Sequence, residues 1–78
     1  MNKRYAQKIS DKIILGLRKQ RLDKGISQYK MSKDTGISTS SISYIENLEQ
    51  RPTLYTVLII ANYLNVNLSD IIKQFEDK

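Results

Sequence analysis

Four hydroxyl side chains near the middle of the chain are best suited to specific polar contacts. They are Thr39, Ser40, Ser43 and Tyr44, and each hydroxyl can both donate and accept a hydrogen bond. None of them carries a negative charge. A helix that presented these groups on one face could therefore enter the major groove of DNA without charge repulsion. These residue types suit binding better than bond-breaking chemistry.

The rest of the composition argues against the common kinds of catalytic and metal site. The chain has no His and no Cys, so it lacks the usual general base, the thiolate nucleophile and the usual zinc ligands. Its acidic clusters, Glu46 with Glu49, Asp70, and Glu76 with Asp77, have no basic partner suited to catalysis and no glycine-rich phosphate loop beside them. We therefore expect no enzymatic activity, no metal and no cofactor.

The net charge of +5 is unevenly distributed along the 78 residues. Residues 1–33 carry ten basic and two acidic side chains, whereas residues 34–78 carry three basic and six acidic side chains. This asymmetry has two interpretations. The basic half is either a surface that binds nucleic acid or anionic lipid, or an ordinary basic helix exposed to solvent. No apolar run approaches the roughly 20 residues that span a bilayer. The basic start also lacks the apolar segment of a secretory signal, so we expect no membrane association and a cytoplasmic location.

The spacing of the apolar residues predicts an all-α fold of five helices in one domain covering residues 1–78. No segment shows the alternation and turn dipeptides of strands. Residues 1–8 precede the first apolar stripe, and this basic extension is either a disordered arm or an additional turn of the first helix. The predicted helices span about residues 9–23, 28–35, 39–46, 54–64 and 68–75.

Residues 27–46 predict two short helices joined by a tight turn at Gly36. Ser27 and Ser38 stand directly before the two helices, where a hydroxyl can accept a hydrogen bond from a free amide of the first turn. Two helices that cross steeply through a turn of three or four residues form a rigid elbow, which can place its second helix in the major groove. The apolar residues with the spacing to seal the inner faces are Met31, Ile37, Ile42 and Ile45.

The order of these motifs resembles the Xre/Cro-like, lambda-repressor-like helix-turn-helix family. The resemblance covers about residues 13–75. It implies a sequence-specific DNA-binding transcriptional regulator, expected to be a repressor, whose third helix reads double-stranded DNA. The matching positions are Arg21, residues 24–28, 36–38, 42–47, 52–57 and 61–66.

The resemblance also implies a role for individual side chains. Arg21 and Glu46 would form a buried ion pair that orients the third helix. The residues expected to contact bases are Gln28, Thr39, Ser40, Ser43 and Tyr44. The residues expected to contact phosphates are Ser27, Lys30, Asn47 and Arg51. For Lys30 this is a second role beside that of a solvated surface lysine.

The chain departs from the family pattern at several positions. Ser32 replaces the usual alanine, and Leu48 replaces the glycine expected after Asn47. The next residues, Glu49 and Gln50, are not basic, so contacts between this loop and DNA phosphates would depend on Arg51. The third helix has no Arg, Lys, Asn or Gln, which leaves DNA shape and bridging water to supply part of the specificity.

Tyr55, Ile59 and Tyr63 form an apolar line along the fourth helix. An exposed apolar stripe on so small a chain indicates a partner surface, and we predict a homodimer through these three residues. Two-fold symmetry would set two recognition helices about 34 Å apart and require a palindromic operator. Alternatively, the stripe covers a terminal segment near Tyr5 or Phe75. The predicted inward face of this helix comprises Leu54, Val57, Leu58, Ala61 and Leu64.

Two other interpretations stay open. The fourth-helix stripe could bind a regulatory protein partner in an antitoxin-like or adaptor module, with DNA binding secondary or lost. The hydroxyl-rich segment from Thr39 to Ser43 could be a flexible loop or a phosphorylation tract, although the flanking apolar residues have helical spacing.

Overall fold

The computed structural model describes the backbone of residues 2–76 and the side chains of residues 2–73. This part of the chain contains five helices and no strand, which confirms the predicted all-α fold. Each of these helices is too short or too polar to span a lipid bilayer. The helices are α1 (Lys3–Asp23), α2 (Gln28–Thr35), α3 (Thr39–Glu46), α4 (Leu54–Tyr63) and α5 (Leu68–Glu76).

Helix α1 begins well before its apolar stripe. Asn2 is its N-cap, and the Asn2 Oδ1 atom accepts a 2.8 Å hydrogen bond from the backbone N–H of Tyr5. This cap satisfies one of the amides that have no partner in a first helical turn. Residues 3–8 are therefore additional turns of α1 rather than a separate arm.

Hydroxyl caps start the next three helices. Ser27 accepts a hydrogen bond from the amide of Lys30, and Ser38 accepts one from the amide of Ser41. Thr53 caps α4 in the same way. Such caps contribute about 1 kcal/mol each. They fix the starting points of α2 and α3, so the turn between these helices has a defined length.

A cluster of buried side chains from α1 to α4 forms the core. Around it pack half-buried residues such as Ile37, Val57 and Tyr63. Helix α2 packs against α3 and α4, and α1 packs against α3, α4 and α5. The α2–α3 elbow is thus supported from behind by the rest of the molecule. The buried cluster comprises Leu17, Met31, Ile42, Ile60, Ala61 and Leu64.

The inward face predicted for α4 is partly wrong. Leu54 and Leu58 are 71% and 49% exposed, whereas Ile60 is buried. Helix α4 has no charged residue, so its sequence lacks the polar face that normally distinguishes inside from outside. Packing against α1 and α2 selects which apolar side is buried.

Leu48 occupies a backbone conformation that usually belongs to glycine. Its φ is +61°, and its amide donates to the carbonyl of Ile45 while the amide of Glu49 donates to the carbonyl of Tyr44. This pair of hydrogen bonds ends α3 in a Schellman motif, in which a left-handed residue follows the helix. The position where the resemblance expects glycine therefore keeps the glycine conformation with a leucine side chain.

Candidate nucleic-acid interface

The outward side of α3 presents the hydroxyl groups to solvent. Thr39, Ser40 and Tyr44 are exposed, and Ser43 is half-buried. On the opposite side of α3, Ile42 and Ile45 are buried in the protein. This division holds the helix by its apolar side and leaves the polar side open.

Gln28 lies beside this hydroxyl face. Together with the four hydroxyl residues of α3 it lines one shallow, open depression. The five residues expected to contact bases therefore share a single surface, although they come from two helices. Tyr44 is 51% exposed, which leaves its ring and hydroxyl accessible to a ligand in the depression.

A buried ion pair connects α1 to the end of α3. The Arg21 Nε atom donates to Glu46 Oε2 and Nη2 donates to Oε1, both at 2.7 Å, and both residues are only 6% exposed. Arg21 Nη1 also donates to the carbonyl of Ile26 at 2.6 Å. Two parallel charge-assisted hydrogen bonds constrain the planes of both groups. The pair therefore fixes α3 relative to α1 and to the turn before α2.

Glu46 is ionised in this setting. Burial by itself raises the pKa of Glu46, but hydrogen bonds from Arg21 and Gln28, with the positive charge of Arg21 and Arg18, hold the pKa below its usual value. The pKa of Arg21 is raised, chiefly by its hydrogen bond to Glu46. Both partners are therefore charged at neutral pH.

Gln28 is coupled to this ion pair. Its Nε2 atom donates to Glu46 Oε1 at 3.0 Å, so Glu46 accepts hydrogen bonds from α1 and from the first residue of α2. This contact holds the Gln28 amide at the edge of the hydroxyl depression. Sequence reasoning placed Gln28 at the DNA but did not predict that Glu46 would position it.

The four residues expected to contact phosphates lie in two places. Ser27 and Lys30 are at the start of α2, where the Ser27 hydroxyl caps the helix and Lys30 Nζ lies 3.1 Å from Asp34 Oδ2. Asn47 and Arg51 are exposed in the loop between α3 and α4. Arg51 forms no ion pair within the described part of the chain.

The predicted dimer residues do not form one exposed line. Tyr55 is 75% exposed, but Ile59 is half-buried, and Tyr63 packs against the core while its hydroxyl donates to Asp34 Oδ2 at 2.6 Å. This hydrogen bond lowers the pKa of Asp34 and raises that of Tyr63. Tyr63 thus links α4 to α2 within one molecule.

The exposed apolar surface of α4 consists of other residues. Leu54, Tyr55 and Leu58 are 71%, 75% and 49% exposed. They lie on one side of the helix, since Leu58 is four residues from Leu54 and three residues from Tyr55. We call these three residues the α4 outer face. Phe75, the alternative cover for the predicted stripe, has its side chain outside the described residues.

The chain matches a known protein family. A family model described as "Helix-turn-helix" matches residues 17–71, which include α2, α3, α4 and the segments that position them. Comparison with curated proteins and with solved structures gives no match.

Proposed function

The chain belongs to the Xre/lambda-repressor-like helix-turn-helix family of DNA-binding regulators, and on this premise we propose that it is a cytoplasmic repressor. In this proposal two copies bind a palindromic operator, each with α3 in the major groove. The observation that carries the proposal is the open hydroxyl face of α3 on an elbow fixed by the Arg21–Glu46 pair.

The α3 surface supports a particular kind of DNA reading. Its side chains end in hydroxyl groups, which can pair with donors or acceptors on any base edge, and it has no side chain for the bidentate contacts that discriminate bases strongly. Gln28 supplies the one amide beside this surface. We infer that base contacts are individually weak and that DNA shape and bridging water contribute to operator choice.

The α4 outer face supports the homodimer. Two copies that each carry a net charge of +5 repel one another, so association is most favourable where charge is absent. Helix α4 has no charged residue, and its outer face presents three large apolar side chains. A two-fold contact there would pair two α3 helices at the spacing of one DNA turn, about 34 Å.

The same exposure favours a second candidate function. The α4 outer face could also contact a different protein instead of a second copy of this chain. The chain would then be an antitoxin-like or adaptor module whose DNA binding is secondary. Light scattering of the free protein, together with a duplex titration at low salt, distinguishes the two functions. A stable monomer that binds no duplex would favour the protein-interaction module.

Selection of bound duplexes from a random pool, followed by fluorescence anisotropy, tests the proposed function. The selected duplex and a scrambled duplex are titrated with the unchanged protein and with Thr39→Ala and Tyr44→Ala. We expect each variant to lose about fivefold or more in affinity for the selected duplex, equivalent to about 1 kcal/mol of base contact, and much less for the scrambled duplex.

Tyr29→Ala is the matched control, because Tyr29 is an exposed tyrosine of α2 outside the hydroxyl depression. It should not change the ratio of the two affinities. Equal losses on both duplexes for Thr39→Ala and Tyr44→Ala would contradict base reading by α3.

A further inference from the structure

The first two turns of α1 carry an unpaired basic cluster. Lys3, Arg4 and Lys8 are all exposed, and none of them forms an ion pair within the described part of the chain. The apolar stripe of α1 begins only at Ile9, so burial in the core does not account for these turns. Their Asn2 cap nevertheless holds them in the helix.

One flank of α1 faces α3 and the loop that follows it. Arg21 bonds to Glu46, Ile14 lines a cavity with Ile45 and Glu46, and Ser10 lines a groove with Pro52. Positions three to four residues apart lie on the same side of a helix. Continuing this spacing from Ser10 toward the N-terminus leads through Gln7 to Lys3, with Arg4 beside it.

This flank brings the basic cluster toward the loop between α3 and α4. At 1.5 Å per residue, Lys3 lies about 10 Å beyond Ser10 along the α1 axis, and Ser10 shares its groove with the last residue before Thr53, the cap of α4. The cluster thus continues the side of α1 that carries Arg21 and Ser10, beyond a groove that Pro52 lines together with Leu68 and Ile72 of α5. In the loop before Pro52, Glu49 offsets the charge of Arg51.

We propose that the first two turns of α1 form a second phosphate-binding surface, in which Lys3 and Arg4 contact the DNA backbone beside the α3–α4 loop. The partner is the phosphodiester backbone of duplex DNA, recognised by charge and without base preference. The inference rests on the proposed function, since it assumes that α3 lies in the major groove. It assigns to the extension the phosphate contacts that the loop lacks.

The salt dependence of binding tests this surface. Affinities of the unchanged protein and of Lys3→Gln/Arg4→Gln for the selected duplex and a scrambled duplex are measured by anisotropy across a series of salt concentrations. Each lost phosphate contact makes the negative slope of log K against log salt shallower by about 0.9. The slope of the double variant should therefore be shallower by about 1.8 on both duplexes.

Lys19→Gln/Lys73→Gln is the control for charge, because it removes two positive charges from exposed positions on α1 and α5, and the Lys19–Asp23 ion pair that it also breaks is exposed and contributes little to stability. Lys19 lines a depression with Asp70 of α5, away from α3. The control should keep the slope of the unchanged protein. Circular dichroism establishes that both variants remain helical.

An unchanged slope for Lys3→Gln/Arg4→Gln, or a decrease no larger than that of the control, would overturn the second surface while leaving the α3 assignment intact. Failure of the unchanged protein to bind any duplex would overturn both proposals.

Discussion

Arg21 and Glu46 form a two-point ion pair that is almost completely removed from solvent, with both hydrogen bonds at 2.7 Å. The two residues are 25 positions apart and join α1 to the last turn of α3. Because Gln28 also donates to Glu46, one carboxylate orients α3 and the first residue of α2. The geometry of the candidate interface therefore depends on a contact that lies beneath it.

Removing one partner of this pair should destabilise the protein strongly. Glu46→Gln leaves the Arg21 guanidinium buried without a counter-charge, at a cost of about 3–5 kcal/mol, a large share of the stability of a small domain. Urea denaturation followed by circular dichroism measures the change. Glu49→Gln, at an exposed site three residues away, should change stability by less than about 0.5 kcal/mol. A loss below about 1 kcal/mol for Glu46→Gln would contradict the structural role of the pair.

Acid should weaken the fold through the same carboxylate. The pKa of Glu46 is lower in the folded protein than its usual value, so its stabilising contribution is complete above the unfolded pKa of about 4.3. That contribution is lost as the pH falls through the folded pKa. We expect the free energy of unfolding, measured in urea, to decrease on acidification below about pH 4.3, and the decrease to be shallower in Glu46→Gln. Parallel pH profiles for the two proteins would contradict this assignment.

The left-handed residue after α3 should be improved by glycine. Leu48→Gly removes the steric cost that a side chain incurs at φ +61°. Because the Leu48 side chain is exposed, we expect the free energy of unfolding to increase by about 1 kcal/mol. Thermal and urea unfolding measure the change. Asn65→Gly is the matched control, since Asn65 has φ +59° in the corresponding turn after α4. Because asparagine tolerates this conformation, its replacement by glycine should increase stability less than Leu48→Gly does. A destabilised Leu48→Gly variant would indicate that packing of the leucine outweighs its backbone strain.

The sequence was most informative where one local rule determines structure. The starts of α2, α3 and α4 follow from hydroxyl caps at Ser27, Ser38 and Thr53, whose partners are three residues away. The left-handed turn at Gly36 follows from glycine's freedom at positive φ. These signals need no knowledge of the rest of the fold.

Contacts between distant residues were beyond local rules. The Tyr63–Asp34 hydrogen bond joins residues 29 positions apart, and no local pattern distinguishes a tyrosine that bonds within the molecule from one that meets a partner. Likewise, Leu22 fits the apolar spacing of α1 but is 54% exposed, whereas its neighbour Arg21 in the same turn is buried. The Arg21–Glu46 pair was anticipated only through family resemblance.

The α4 outer face should control self-association, and Tyr63 should not. Leu58→Lys places a charge among Leu54, Tyr55 and Leu58, where two like charges would face each other across a two-fold axis, so we expect it to shift the protein to monomer. Tyr63→Phe removes only the hydroxyl that bonds to Asp34 and should leave the dimer intact while lowering thermal stability. Sedimentation equilibrium over a range of concentrations measures both variants. Loss of the dimer in Tyr63→Phe with retention in Leu58→Lys would instead restore the line of Tyr55, Ile59 and Tyr63 as the interface.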